Sequence, residues 1–520
     1  MDYISIKDSK LFAGNTPFLM RGFGLGGWLL PEGYMWKLYT KCDRQRRMEA
    51  MISKLCGEEY EKQFWRRYYD SYITQWDIQF IAEQGFNSVR LPLNARHLFE
   101  VKENKVSFNE EILYYVDQCI QWCKEEGIYV ILDMHAAFGG QTGQNIDDSE
   151  DDKPRLFIDV YNQELLIQAW ELLACRYKDE PVVAGYDLLN EPLPKWQSQY
   201  NEMLLPLYRK MIQAIRNIDE KHIIILEGLH WATDFSVFSE FTKEEAEDTI
   251  MLQFHKYWST PDTESIQGYI DIAKELNVPL FMGEGGENNC EWYTTVFPMY
   301  EREDISWSFW TYKKMECTNS PITFRVPVNW DWMIQWIEGE RQLSKEEAIF
   351  IFDDFIKALQ DAGINKPVIN ALQRRIPVQL PSEAYDFYQI KSERLAGADV
   401  RLSEPVTILF QNGRLGEVNY QRYGGEPQPE TENLVVKLRE GDMVGYYFFT
   451  KDKSFIADIL LEGQGEVEIA CSDEVVQVSV NGCENIQLSF TSRINEKNQL
   501  SIKCISGSIY LDTINLKNKK

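Results

Sequence analysis

The chain has 520 residues, with 81 acidic against 54 basic side chains and a formal net charge of −27. That excess repels phosphate backbones and anionic lipid, so nucleic acid and membrane surfaces are poor partners. Its 44% hydrophobic and 13% aromatic content, including 15 Trp, is enough for a large core with aromatics left for a cleft, and the length calls for two or more domains. No run of about 18 apolar residues occurs, which argues against a membrane span. The start, Met1 to Lys7, lacks a basic segment followed by an apolar run, and the ten cysteines are scattered. Reduced thiols and a cytoplasmic location are the simpler expectation.

In chain order, short β-rich apolar runs alternate with helical patterns. Strand candidates are Phe18 to Leu25, Ser88 to Pro92, Tyr129 to Met134, Val183 to Leu189, His222 to Leu226, Thr249 to Phe254, Pro279 to Gly283 and Ile305 to Trp310. Amphipathic segments such as Ile112 to Glu126, Gln163 to Tyr177 and Ile266 to Leu276 lie between them, and Glu346 to Gly363 reads as the last major helix. Eight strands alternating with helices predict an α/β fold, a (β/α)8 TIM barrel over residues 1–380. Residues 37–70 form a long charged and aromatic excursion after the first strand. It reads as a partly helical insertion packed on the barrel, or as a wall that shortens a groove. After residue 380 the helical periodicity fades, and short alternating segments broken by Gly, Asn and Asp predict a C-terminal β-sandwich over 381–520. The last tryptophan is Trp336, so a sugar platform in that domain would need Tyr or Phe. A structural appendage and a carbohydrate-binding module are both open.

A barrel presents its strand C-termini to one face, where functional groups gather. The fourth and seventh strands run into a glutamate: Gly185-Tyr186-Asp187-Leu188-Leu189-Asn190-Glu191-Pro192 and Pro279-Leu280-Phe281-Met282-Gly283-Glu284-Gly285-Gly286. The other strand ends supply Arg90, His135, the run His255-Lys256-Tyr257-Trp258, and Trp310. Glu227 ends the fifth strand and reads as a contact either to a ligand hydroxyl or to a helix N-terminus. Glu287, just past the seventh strand, is at best a substrate contact. Each glutamate alone could be a helix cap; together with the other strand ends they form a site. Cys119 and Cys123 lie one turn apart and read as one packed helix face. The run Asp147-Asp148-Ser149-Glu150-Asp151-Asp152 lacks the Gly and terminal Glu of a calcium loop and reads as a solvated loop. No metal and no cofactor is expected.

This ordered set over roughly residues 18–315 resembles glycoside hydrolase family 5, within the clan of (β/α)8 retaining glycosidases. The resemblance implies a sugar-cleaving enzyme acting on a carbohydrate or glycoside, with Glu191 as acid/base and Glu284 as nucleophile. It places Arg90, His135, Asn190, His255, Tyr257 and Trp310 on the remaining active-site positions. The stretches Arg21-Gly22-Phe23-Gly24-Leu25-Gly26-Gly27-Trp28-Leu29 and His135 to Gly143 look most like exo-β-1,3-glucanase and β-glucosidase-type members, which brings Trp28 into the candidate site. The chemistry agrees: Glu191 has to arrive protonated and Glu284 ionised, held so by Arg90 and the Tyr257 hydroxyl. Asn190 would donate to a sugar 2-hydroxyl, Trp310 would lie flat beneath a pyranose, and a neutral His135 or His255 would orient polar groups. Trp231, Trp258 and Trp292 would line the leaving-group side. The expected activity is that of a retaining exo-acting β-glucosidase on oligosaccharides or small glycosides, with an endo-β-glucanase second and a non-catalytic sugar-binding barrel third.

Overall fold

The computed structural model describes residues 1–246 and 249–519. Eight parallel strands close into a barrel: β1 Arg21–Gly24, β2 Ser88–Asn94, β3 Tyr129–Ala136, β4 Val183–Asp187, β5 Ile223–Glu227, β6 Ile250–His255, β7 Leu280–Gly286 and β8 Ser306–Trp310. Each strand pairs with the next in sequence, and β8 pairs with β1. β-branched runs such as Ile223-Ile224-Ile225 suit a strand covered on both faces. Helices follow where the period changes to 3.6, among them α1 Gln45–Cys56, α2 Glu58–Tyr72, α3 Glu110–Glu126, α4 Val160–Tyr177, α5 Leu204–Arg216, α6 Gln267–Leu276 and α7 Cys290–Arg302. In α3 the Asn109 side chain accepts from the Glu111 N–H, and Gly127 ends the helix at φ 71°. Cys119 and Cys123 share its buried face, and all ten cysteines are free thiols.

The N-terminal strands Ile4–Lys7, Lys10–Ala13 and Thr16–Phe18 form a small antiparallel sheet. Ile4, Ile6 and Leu11 pack with Tyr129, Ile223, Met251 and Phe281 at the strand starts. That plug closes the barrel's N-terminal end and leaves the opposite end for a site. The excursion is helical, as α1 and α2, and the rings of Phe64, Trp65, Tyr68 and Tyr69 are buried, whereas Tyr39 is exposed. Trp36 meets Phe355 at 4.5 Å and Phe64 meets Phe352 at 5.2 Å, both on the helix Lys345–Gln360, α8. The start of the excursion also reaches the strand-end face. Gln45 accepts from Asn94 at 3.0 Å, and the Arg46 N–H donates to Asp148 at 2.8 Å.

The acidic run is a correction. Asp147, Asp148 and Ser149 are buried rather than solvated. Asp147 accepts from Thr142 and from the Gly143 and Ser149 N–H groups, and Asp148 is paired with Arg46 and Arg96. Local charge density suggested a solvated loop, but arginines about 50 and 100 residues away neutralise it.

The chain divides into two compact units, one of residues 1–256, 268–285 and 304–364, the other of 257–267, 286–303 and 365–520. The second unit holds an antiparallel β-sandwich: β9 Val378–Pro381, β10 Phe387–Gln389, β11 Thr407–Phe410, β12 Leu434–Arg439, β13 Met443–Phe448, β14 Ser454–Cys471, β15 Glu474–Thr491 and β16 Asn498–Asn518. β16 is the hub, pairing along one edge with β14 and along the other with β13, β12 and β9. Its core alternates along each strand, with Ile459, Leu461, Ile502 and Leu511 inside. The helix α7 belongs to this unit and packs on the helix Lys366–Gln373, α9.

Candidate active site

The C-terminal end of the barrel gathers charge around one guanidinium. Arg90, midway along β2 and fully buried, donates from Nη1 to Glu284 Oε1 at 2.5 Å and from Nε to Asp187 Oδ2 at 2.8 Å. Its Nη2 donates to Asn190 Oδ1 at 2.8 Å and Glu227 Oε1 at 2.9 Å, and lies 3.1 Å from Asp133 Oδ1. Each acid comes from the end of a different strand. The period of two turns Asp133 and His135, or Gln253 and His255, to the same side.

Glu191 and Glu284 sit close together. A carboxylate oxygen of each and a ring nitrogen of His255 all lie within 4.8 Å of one another. His255 Nδ1 is 2.7 Å from Glu191 Oε1 and 3.6 Å from Glu284 Oε2. The Glu191 side chain keeps 12% exposure, whereas Glu284 keeps 5% and is buried. Glu191 adopts φ 43°, a left-handed backbone that carries strain in a non-glycine residue, and its N–H donates to Glu227 Oε2 at 2.6 Å. Glu227 is fully buried with both oxygens occupied, Oε1 by Arg90 and Gln253 and Oε2 by Glu191. It supports the loop that carries Glu191, and its full burial keeps it from a ligand hydroxyl. Gln253 reaches it because β7 carries Gly283 alongside, where a Cβ would stand 2.2 Å from the Gln253 amide carbon.

Burial lifts the Glu284 carboxyl above its ordinary range, against the pull of His255, Arg90 and His135. Burial opposes the charge on His255, but Glu227, Glu284 and Glu191 outweigh it and raise the imidazole well above its usual value. Burial acts unopposed enough on His135 to bring it down to about 4. A neutral His135 then donates from Nδ1 to Asp133 at 2.7 Å and faces the Asn190 amide with Nε2 at 3.4 Å. Burial and His255 act in opposite directions on Glu227, which ends below its ordinary value. Asp133 and Asp187 are pushed upward, chiefly by burial.

Trp310 is only 4% exposed. Its ring lies parallel to His135 at 5.2 Å and its Nε1 donates to the Tyr34 hydroxyl, so it forms a wall rather than an open platform. Gly24 and Gly26 make room for it, since a Cβ on either would stand 2.5 Å from a ring carbon. Trp28 is a correction. It is fully buried, donates to the Tyr69 carbonyl and stacks on Trp122, so it is a core residue with no face for a ligand. Trp292, 2% exposed and bonded to the Ser259 carbonyl, is likewise core. Tyr257 and Trp258 fall in the second unit, where Trp258 donates to the Glu287 carbonyl and meets Tyr423 edge-on at 4.5 Å.

Trp231 is half-buried in the loop after β5, where His230, Trp231 and Ala232 take φ of 55°, 65° and 56° in succession. Non-glycine residues held there cost of order 1–3 kcal/mol each. Its partner is Trp196, 61% exposed in the loop after β4, with ring centroids 5.9 Å apart. Sequence reasoning missed Trp196, Asp133, Asp187 and Gln253. The three polar ones carried a signal: each is a buried-strand polar residue in register with, or just ahead of, a strand-end functional group.

A family model described as cellulase (glycosyl hydrolase family 5) matches residues 52–316, half of the chain. "Beta-xylosidase" of Phanerodontia chrysosporium is 32% identical over 244 residues, covering 47% of this chain and 50% of that protein, so the match spans half of that relative. "Endoglucanase C" of Acetivibrio thermocellus is 24% identical over 311 residues, 49% of this chain and 88% of that protein. "Glucan 1,3-beta-glucosidase" of Lachancea kluyveri is 25% identical over 311 residues, 57% and 66%. Among solved structures, an "endogalactoceramidase" covers 99% of this chain and all of its own at 14% identity, with a TM-score of 0.49.

Proposed function

The chain belongs to glycosyl hydrolase family 5, and from that premise we propose that it hydrolyses β-glycosides with retention of configuration, Glu284 as nucleophile and Glu191 as acid/base. One observation carries the proposal: oxygens of the two carboxylates approach within 4.8 Å. Retaining enzymes need carboxyl groups about 5–5.5 Å apart, whereas inversion needs about 6.5–9.5 Å to admit a water. Glu284 attacks the anomeric carbon while a proton shared between Glu191 and His255 Nδ1 passes to the leaving oxygen. Esterification removes the Glu284 charge, and Glu191 then takes a proton from the water that releases the sugar. The Asn190 amide, at 3.4 Å from His135 and held through Oδ1 by Arg90, is positioned as donor to the sugar.

The preferred substrate is a small β-glucoside or oligosaccharide cut from its end. The likeness of residues 21–29 and 135–143 to exo-acting members supports this reading, as does the excursion fastened to the strand-end loops. An endo-β-glucanase is the second reading, favoured by the match to 88% of the Acetivibrio endoglucanase. Trp196 and Trp231, on the loops that follow the acid/base and Glu227, support a leaving group that carries a ring.

The test is a panel of aryl β-glycosides with the anomer of the first product followed by NMR. Release of β-glucose from the glucoside is expected. Ladders from a long β-glucan without aryl glycoside cleavage would establish the endo reading, and an initial α-anomer would remove Glu284 from its role. Glu284→Gln is expected to abolish the glycosyl-enzyme. Glu191→Ala should retain its first step only with very good leaving groups, and azide should restore its turnover as a β-glycosyl azide.

A further inference from the structure

Four carboxylates, from Asp133, Asp187, Glu227 and Glu284, converge on Arg90, and none is more than 5% exposed. His255 adds a second cation, and Glu191 adds a fifth carboxylate at the rim. The acids still outnumber the cations. Carboxylates that share a buried site do not all ionise, because each uncompensated charge costs several kcal/mol. At least one proton therefore stays in the cluster at neutral pH.

The hydrogen bonds say where. Glu227 accepts protein donors on both oxygens. Glu284 faces Arg90 with Oε1 and His255 with Oε2. Asp133 accepts from His135 with Oδ2, and its Oδ1, though not hydrogen-bonded, lies 3.1 Å from the guanidinium, where a proton would be repelled. Asp187 gives Oδ2 to Arg90 Nε, and its buried Oδ1 accepts no hydrogen bond. We propose that Asp187 is a neutral carboxylic acid, protonated on Oδ1, and that it acts as a positioning residue. It steers Arg90 by a hydrogen bond without drawing on its charge, which is left to hold Glu284 ionised. The groups acting on it are Arg90 from β2, Asp133 from β3, Glu227 from β5 and the Tyr208 hydroxyl of α5. Burial, with Glu227 adding to it and Arg90 opposing, pushes Asp187 well above the ordinary carboxylate range.

Infrared spectroscopy tests the assignment on the full-length protein. A protonated-aspartate component of the carboxyl stretch is expected at neutral pH in the wild type, lost in Asp187→Asn and kept in Asp133→Asn. If Asp187→Asn does not fold, isotope-labelled aspartate in the wild type must shift the band, which Asp133→Asn must still show. An aspartate band that is absent, that persists in Asp187→Asn, or that vanishes with Asp133→Asn overturns the proposal. The kinetic arm rests on Glu284 as nucleophile, and the infrared arm does not. Asp187→Ala should lose about tenfold or more in kcat/KM, whereas Asn, which copies the neutral acid, should recover it to within about threefold with the acid limb of the pH profile in place. An Asn variant as poor as Ala, with a displaced acid limb, would mean that the charge of Asp187 is needed.

Discussion

Arg90 sets how much negative charge the barrel mouth can hold. Taking it away strands its carboxylates in a medium that disfavours charge, so Arg90→Met should destabilise the protein by about 3–5 kcal/mol, read from urea unfolding. The molecules that remain folded report on Glu284. Burial already lifts this group, and Arg90 is among the charges holding it down. Without the guanidinium its pKa rises further, and if Glu284 is the proposed nucleophile, which attacks only when ionised, activity on falling pH is lost earlier. The acid limb of kcat/KM should move to higher pH in Arg90→Met. An acid limb that stays in place would show that another group sets it and would detach Glu284 from the nucleophile role.

The loops after β4 and β5 bring Trp196 beside Trp231, the latter on three consecutive left-handed residues. That conformation is kept by bonds from the His230 N–H to the Leu193 carbonyl and from the Thr233 hydroxyl to the His230 carbonyl. If the pair receives the leaving group, Trp196→Ala and Trp231→Ala should each raise KM about tenfold for glucosides with a ring in that position, about 1.4 kcal/mol, and leave methyl glucoside unaffected. Equal losses on both substrates would place the pair outside the leaving-group site. The barrel was legible because eight apolar runs end in polar residues, and only their ends moved. Phe18 to Leu25 contracts to Arg21–Gly24, and Pro279 to Gly283 extends to Gly286. The sandwich was less so. Among the short segments that the sequence shows broken by Gly, Phe455 to Leu461 and Val467 to Ala470 belong to one strand, β14, because Gly463 and Gly465 are not a turn. They allow close crossing against β16, where a Cβ on Gly465 would stand 2.0 Å from the Ser506 carbonyl. Trp28 misled for the opposite reason: its glycine-rich neighbours mark a strand end, but nothing local says that the ring turns inward onto Trp122.

At the scale of the molecule, the boundary expected near residue 380 sets a C-terminal domain after the barrel, and the compact units divide the chain differently. The second unit takes in 257–267 and 286–303, segments that connect β6, β7 and β8 and lie within the family match. They are held by charge buried with the sandwich. Arg374 donates to the Thr294 carbonyl on α7 at 2.6 Å and pairs with Asp386, which also binds Arg302. Asp262 accepts from the Arg401 N–H at 3.1 Å, and Asn288 donates to the Tyr420 carbonyl. A chain ending at residue 364 would keep all eight barrel strands yet leave both connections without these partners, α7 among them. Such a fragment should be insoluble or lack a cooperative melt, even though it contains Glu191 and Glu284. In the full-length chain, Asp386→Ala should cost about 3–5 kcal/mol, because it leaves the buried Arg374 without a counter-charge. Chemical unfolding measures the second, and circular dichroism with an aryl glucoside assay measures the first. A soluble fragment of residues 1–364 that melts cooperatively and turns over substrate would make the sandwich an appendage after all.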